Sequence, residues 1–111
     1  MRRLLSKFLR RSVRQYSNVK FITSFSDVPD EVGDDIYIVG FKKKAKWVIF
    51  DCPCSKGHKL TVNLMESHYP YWKLKFYRNQ VSLSPSIRVS DHACRSHFWL
   101  QSNRAYLVLI K

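Results

Sequence analysis

The sequence predicts a mainly β fold, a small antiparallel β-sheet or sandwich domain. Three observations support it: short runs of β-branched and aromatic residues alternate with polar ones, turn-forming residues separate these runs, and two pairs of metal-ligand residues adjoin predicted strands. A chain of 111 residues, 45% of them hydrophobic, is long enough for one domain with a thin core. We therefore expect one metal-binding β domain over residues 18–111, preceded by a separate N-terminal element.

The predicted strands are short, and tight turns connect several of them. The Arg78-Asn79 pair between two alternating runs is typical of a two-residue hairpin turn. The basic connection at residues 41–45 predicts another hairpin, residues 102–104 predict a third, and residues 26–33 are expected to form a turn or a single helical turn. The expected strands cover residues 19–25, 35–39, 46–50, 58–65, 72–77, 80–83, 98–101 and 105–110.

Residues 1–17 are predicted to form a basic amphipathic helix. At 100° per residue, the apolar side chains of this segment fall on one side and nearly all of its Arg and Lys side chains on the other. Residues 1–20 hold seven of the 20 basic residues and none of the eight acidic ones, so much of the net charge of +12 is concentrated there. The apolar side of the helix could pack on the domain or on a subunit. Alternatively, residues 2–14 could bind nucleic acid, an anionic membrane surface or an acidic protein.

The cysteine content and the distribution of apolar residues predict a cytoplasmic protein. Three cysteines are an odd number, and Cys52 and Cys54 are too close in sequence for an unstrained disulfide. No apolar stretch reaches the roughly 18 residues of a transmembrane segment, and basic residues interrupt the N-terminal apolar ones before a secretory signal could form. Free thiolates persist in a reducing compartment and can bind metal there. The Arg-rich start also resembles a mitochondrial presequence, which leaves localisation open.

Two short motifs supply metal-ligand chemistry. Cys52-Pro-Cys54 and Cys94-Arg-Ser-His97 each place two soft or borderline ligands close together, as a tetrahedral Cys₃His zinc site requires. Thiolate and imidazole disfavour magnesium and calcium, which prefer oxygen ligands. We therefore predict a zinc site with ligands Cys52, Cys54, Cys94 and His97. His58, four residues after Cys54, is the alternative ligand.

The sequence leaves two alternatives to zinc, a different cofactor and inert cysteines. In a Rieske-type centre, C-x-H and C-x-x-H motifs hold a 2Fe-2S cluster, and here Cys54 stands where the first histidine would be. A Cys₃His-ligated 2Fe-2S cluster is therefore the alternative cofactor, although one zinc ion needs fewer assumptions. The cysteines could also be reduced and inert, as small buried hydrophobic residues often are.

Longer motifs resemble a family of small bacterial proteins. Residues 51–58 (D-C-P-C-S-K-G-H) and 94–100 (C-R-S-H-F-W-L) resemble the C-P-C-G-C-G-H and C-x-S-H-F-W motifs of that family, and residues 62–65 and 81–87 extend the resemblance. Lys56 stands where the family usually has a third clustered cysteine, which indicates that position 56 is not an essential ligand. Members of this family are encoded near ubiquitin-like conjugation genes that are often linked to phage defence. The resemblance implies a place in a bacterial ubiquitin-like conjugation or antiphage defence system.

The residues favour partner binding over catalysis. A hydrolytic zinc site keeps one coordination position open for water and has a carboxylate nearby, whereas this chain offers four ligands and has few acidic residues after Asp35. We therefore predict a zinc-binding accessory or adaptor protein whose partners are components of ubiquitin-like conjugation. The alternatives are a nucleic-acid-binding zinc protein, for which residues 69–78 supply aromatic rings and basic charges, and a Rieske-like electron-transfer protein.

Overall fold

The computed structural model describes residues 12–41, 43–54, 56–90 and 94–108. These residues form a mainly β fold, as predicted, with a 3-10 turn of helix at Phe25–Asp27. Within the described ranges, no helix has the length and apolar character needed to span a bilayer. The strands are β1 (Ser12–Gln15), β2 (Val19–Ile22), β3 (Ile36–Phe41), β4 (Lys44–Asp51), β5 (Lys59–Asn63), β6 (Lys73–Tyr77), β7 (Gln80–Arg88), β8 (His97–Gln101) and β9 (Arg104–Leu107).

The strands are arranged in two sheets. The five-stranded sheet has the order β1-β9-β8-β7-β6, and each neighbouring pair is antiparallel. The four-stranded sheet has the order β2-β3-β4-β5 and is antiparallel except for β2, which runs parallel to β3. This parallel pair differs from the purely antiparallel expectation. It is feasible because residues 23–35 are long enough to carry the chain back to the start of β3.

One core fills the space between the two sheets. Successive side chains of a strand point to opposite faces, so the inward positions of each sheet form one apolar surface. The rings of Phe50 and Phe98 meet edge to face across the core, with centroids 6.2 Å apart. Other core residues are Ile36, Ile38, Val48 and Val62 from the four-stranded sheet and Val81, Leu83, Ile87, Leu100 and Ala105 from the five-stranded sheet.

Two of the predicted hairpins close with two-residue turns. Arg78 and Asn79, between β6 and β7, have φ of 53° and 63°, and Ser102 and Asn103, between β8 and β9, have φ of 48° and 65°. Positive φ at both central residues matches the twist of the flanking strands, which confirms the turn predicted at residues 78–79. The last turn is one residue shorter than expected. Its Asn103 side chain accepts a hydrogen bond from the Val81 N–H at 2.7 Å and so attaches the turn to β7.

The part of the predicted N-terminal helix that the structure describes is a strand. Ser12–Gln15 pairs antiparallel with β9, whereas residues 1–11 lie outside the described residues. Tyr16 supplies the physical reason, because its ring is buried 5.4 Å from the Phe50 ring and its hydroxyl donates a hydrogen bond to the Asp51 carbonyl. These tertiary contacts outweigh the helical period of the segment.

We expect Phe98→Ala to lower the free energy of unfolding by about 3–5 kcal/mol, because it leaves a cavity where the two sheets meet. Phe41→Ala is the matched control, since Phe41 is 69% exposed and Phe98 is fully buried. Its effect should stay within about 0.5 kcal/mol. Urea unfolding followed by circular dichroism measures both values, and equal losses would contradict the described core.

Candidate metal centre and serine–histidine pair

The β4–β5 hairpin ends in a loop that carries three candidate ligands. Cys52 directly follows β4, and its N–H donates to the His58 carbonyl at 2.8 Å, which closes the loop. Gly57 has φ of 70°, a left-handed conformation that glycine adopts at no steric cost. The loop thereby turns back on itself and brings Cys54 Sγ to 3.2 Å from His58 Nε2.

The fourth candidate ligand comes from the other sheet. Cys94 lies shortly before β8, where the Val89 N–H donates to the Ser96 carbonyl at 2.7 Å and extends the pairing of β7 with β8. The sulfur atoms of Cys94 and Cys52 are 3.6 Å apart. Both side chains belong to the core between the sheets. The two cysteines therefore join the two layers at the ends of inner strands.

The cluster suits a metal ion. The ligand atoms of Cys52, Cys54, His58 and Cys94 all lie within 4.8 Å of one another. Tetrahedral zinc with bonds of ~2.3 Å to sulfur separates two sulfur ligands by about 3.8 Å, close to the distance between Cys52 and Cys94. Three thiols and one imidazole are also ligands that zinc prefers and that magnesium and calcium avoid. These four residues could therefore hold a metal ion.

His97 lies outside this cluster, which instead contains His58, the alternative ligand named from the sequence. His97 is the first residue of β8, in which Phe98 points into the core. Because side chains alternate along a strand, His97 points to the opposite face, away from buried Cys52 and Cys94. The spacing does not distinguish the two histidines, since each follows a cysteine by three or four residues.

The two buried thiols differ in acidity. Burial raises the pKa of Cys52 to about 12. A hydrogen bond with the Ser96 hydroxyl at 3.2 Å lowers the pKa of Cys94 to about 6, and contacts with His58, Cys54 and Cys52 act in the same direction. Cys94 is therefore the thiol that most readily becomes a thiolate. Since a metal ion requires deprotonated cysteines, affinity for the ion must fall as the pH falls.

Arg14 of β1 holds the backbone beside the cluster. Its guanidinium group donates to the carbonyl oxygens of Cys52 at 3.2 Å and Gly33 at 3.0 Å, and it pairs with the Asp34 carboxylate at 2.9 Å. The helical period of residues 1–17 predicts that Arg14 lies on the polar side of a helix. In the structure it instead connects β1 to the turn before β3 and to the loop that carries the cysteines.

His97 contacts a serine. Ser86 Oγ and His97 Nε2 are 2.9 Å apart, on the neighbouring strands β7 and β8, and the contact is partly buried. Burial lowers the pKa of His97, and the positive charge of Arg88 acts in the same direction. The neutral imidazole is the form that can accept a proton from a hydroxyl group. The pair has the arrangement of a nucleophile and its general base.

A β-bulge positions Ser86. Strand β7 pairs with β8 at Leu83 and again at Ile87, so residues 84–86 lie opposite the single residue Trp99. Bulges redirect side chains and are frequent beside active sites. In addition, the Trp72 indole N–H donates to the Ser86 carbonyl at 3.3 Å.

The pair of Ser86 and His97 is not apparent from the sequence. The motif spacing predicts His97 as a metal ligand, and no period in the sequence relates residue 86 to residue 97. The available signal was that both residues fall in motifs that carry the family resemblance. That signal does not indicate that the two side chains touch.

Fold and site together define a small two-sheet β protein with a Cys₃His cluster and a serine–histidine pair. Residues 24–108 match the model of a family described as "Bacterial ubiquitination-like system serine protease (BubE)", and the chain belongs to that family. This membership confirms the predicted association with ubiquitin-like conjugation systems. No curated protein and no solved structure matches the chain.

We expect His58→Ala to lose most of its bound zinc and His97→Ala to retain it, because the imidazole of His58, and not that of His97, lies among the three sulfur atoms. Inductively coupled plasma mass spectrometry of protein purified without a metal-affinity tag measures the number of zinc ions per protein chain. Loss of zinc from His97→Ala, with normal zinc in His58→Ala, would restore the ligand set predicted from the sequence.

Proposed function

We propose that this chain is a serine hydrolase of a bacterial ubiquitination-like system, with Ser86 as the nucleophile and His97 as the general base. The distance of 2.9 Å between Ser86 Oγ and His97 Nε2 carries the proposal. The family description, which names a serine protease, supports an amide bond as the bond that is cleaved.

The reaction would proceed through an acyl-enzyme. His97 accepts the proton of the Ser86 hydroxyl as Oγ attacks the carbonyl carbon of the substrate, and it then donates that proton to the departing amine. A water molecule, deprotonated by the same imidazole, then attacks the ester carbonyl. The imidazole returns that proton to Ser86 Oγ as the ester bond breaks, and the acid is released. The lowered pKa of His97 keeps the imidazole neutral at the start of the cycle.

The Cys₃His cluster has a structural part in this proposal. We infer that Cys52, Cys54, His58 and Cys94 hold zinc, and four protein ligands leave no open position for a substrate or water. Bound zinc supplies a cross-link, worth on the order of 10–16 kcal/mol in small zinc-finger peptides. Because Cys94 precedes His97 by three residues, ligation at Cys94 would hold the start of the strand that carries the base.

A zinc-binding adaptor is the second candidate function. The four-ligand cluster favours it, since closed zinc sites are typical of binding modules without chemistry at the ion. In this form the chain would bind a protein of the ubiquitin-like conjugation or antiphage defence system and Ser86 would be unreactive. Both candidates are proposed to act in the cytoplasm.

Two other proposals concern the metal and the N-terminus. Four ligand atoms within 4.8 Å of one another suit one ion better than the two irons of a Rieske-like 2Fe-2S cluster, which visible absorption would detect. Binding of nucleic acid or an anionic membrane through residues 2–14 rests on their charge, and residues 2–11 lie outside the described part of the chain.

We expect a fluorophosphonate probe to label Ser86 in the wild-type protein, because such probes react with activated serine hydroxyls. Ser86→Ala should abolish labelling, and His97→Gln should slow it by about 10²–10⁴-fold through loss of the general base. Intact-protein mass spectrometry and peptide mapping measure the extent and the site of labelling.

Ser67→Ala is the matched control for this experiment. Ser67 Oγ lies 2.9 Å from His68 Nδ1, but that pair is exposed and its two residues are adjacent in sequence. The control should be labelled like the wild type. Labelling that persists in Ser86→Ala, or its absence from zinc-loaded wild type, would contradict the hydrolase and favour the adaptor.

The labelling rate should rise with pH, because His97 acts as a base only when neutral. The rate should reach its plateau at a lower pH than an ordinary histidine would give, since the pKa of His97 lies below the usual 6.5. Arg88→Gln removes a positive charge that disfavours the imidazolium ion. The inflection should therefore move to higher pH in Arg88→Gln and stay in place in the control Arg104→Gln. An inflection that does not move in Arg88→Gln would contradict a contribution of the Arg88 charge to the pKa of the base.

A further inference from the structure

A surface cavity of about 410 Å³ is lined in part by Ser84 and Pro85, the two residues before Ser86. Tyr69, Tyr71 and Trp72 contribute aromatic surface to it. The Trp72 indole N–H donates a hydrogen bond to the Ser86 carbonyl and so attaches this aromatic surface to the backbone of β7. An apolar side chain placed in this cavity would contact residues that directly precede the proposed nucleophile in sequence.

This cavity adjoins a second one, and the two together are called the groove. A second cavity of about 380 Å³ shares Tyr71, Trp72 and Lys73 with the first, and it adds Lys43 and Glu66. The two cavities therefore lie on either side of the shared residues at the start of β6. A ligand that filled both would be elongated.

Strand β6 offers a free backbone edge along this groove. In the described part of the chain β6 is the last strand of its sheet and pairs with β7. The two-residue turn makes Tyr77 and Gln80 a hydrogen-bonded pair, so alternate residues 73, 75 and 77 bond to β7. The N–H and C=O groups of Leu74 and Phe76 consequently point to the free edge. Such an edge is a template for another extended chain.

The charges beside this edge favour an acidic ligand. Lys73 and Lys75 are exposed on β6, and Arg78 follows at the turn. Glu66 is the one acidic residue between positions 64 and 83. The resulting positive potential would attract a peptide that carries carboxylates and repel a basic one.

We propose that the free edge of β6 and the adjoining cavity bind an extended acidic peptide segment, paired through its backbone, with one apolar side chain in the aromatic cavity. The inference rests on the proposed function, since a hydrolase that cleaves amide bonds acts on peptide chains. The observations favour peptide over nucleic acid because the edge offers backbone pairing. Trp72, moreover, is half-buried, which limits the ring surface that a base could stack on.

Fluorescence anisotropy with dye-labelled peptides tests the charge requirement. The probe is an eight-residue peptide that alternates glutamate and valine, and its control has lysine in place of glutamate. Ser86→Ala protein is used so that binding is measured without cleavage. The acidic peptide should bind and the basic one should not, and the double variant Lys73→Glu/Lys75→Glu should reduce affinity for the acidic peptide at least tenfold.

A pair of variants at Phe76 tests the backbone pairing. Phe76→Pro deletes an N–H that points to the free edge. Because this N–H does not bond to β7, the substitution leaves the pairing of β6 with β7 in place. Phe76→Ala removes the same ring, which packs 5.2 Å from the Phe21 ring, but keeps the N–H. Phe76→Pro should bind the acidic peptide about three- to tenfold more weakly than Phe76→Ala.

Three outcomes would overturn the inference: equal binding of the two peptides, equal affinity of the two folded Phe76 variants, or preference for a dye-labelled single-stranded oligonucleotide over the acidic peptide. If Phe76→Pro does not fold, the charge-reversal result decides. Fluorophosphonate labelling of wild-type Ser86 is a separate readout. Labelling without peptide binding would reject the peptide site alone, and peptide binding without labelling would reject the hydrolase alone.

Discussion

The contact between Cys52 and Cys94 joins the two layers of this protein. Cys52 ends β4 in the four-stranded sheet, Cys94 precedes β8 in the five-stranded sheet, and their sulfur atoms lie 3.6 Å apart inside the core. Cys54 and His58 complete a cluster that could hold a metal ion. A domain of this length has a thin hydrophobic core, so a cross-link at this point would add much to its stability. The position of β8 relative to β4 depends on this junction.

Strand β8 connects that junction to the serine–histidine pair. Phe98 points into the core against Phe50, whereas His97, one residue earlier, points to the other face and meets Ser86. One strand thus contributes to stability through one face and to the candidate active site through the other. The alternation also excludes a double role for His97, because a histidine turned toward the sulfur atoms could not serve Ser86 as a base.

The N-terminal strands β1 and β2 belong to the two sheets but lie outside the matched family region. That region begins at residue 24, whereas β1 and β2 precede it and form one edge of each sheet. Arg14 and Tyr16 attach this segment to the backbone at residues 51 and 52, next to the cluster. The predicted N-terminal segment, residues 1–17, therefore includes residues that fix the backbone beside the cysteine–histidine cluster.

The sequence alone predicts the mainly β class and the two-residue turn at Arg78 and Asn79. It also identifies the three cysteines as candidate ligands, and the fold brings them together. These features are local, because alternation, turn propensity and side-chain chemistry are properties of neighbouring residues. The tertiary structure, by contrast, groups His58 and not His97 with the three cysteines, since the face of β8 on which a side chain lies depends on how the sheets pack. Likewise, residues 12–15 are a strand because Tyr16 is buried beside Phe50, and Ser86 meets His97 because a bulge sets the register of β7 against β8. Such contacts join residues distant in sequence, so no local pattern records them.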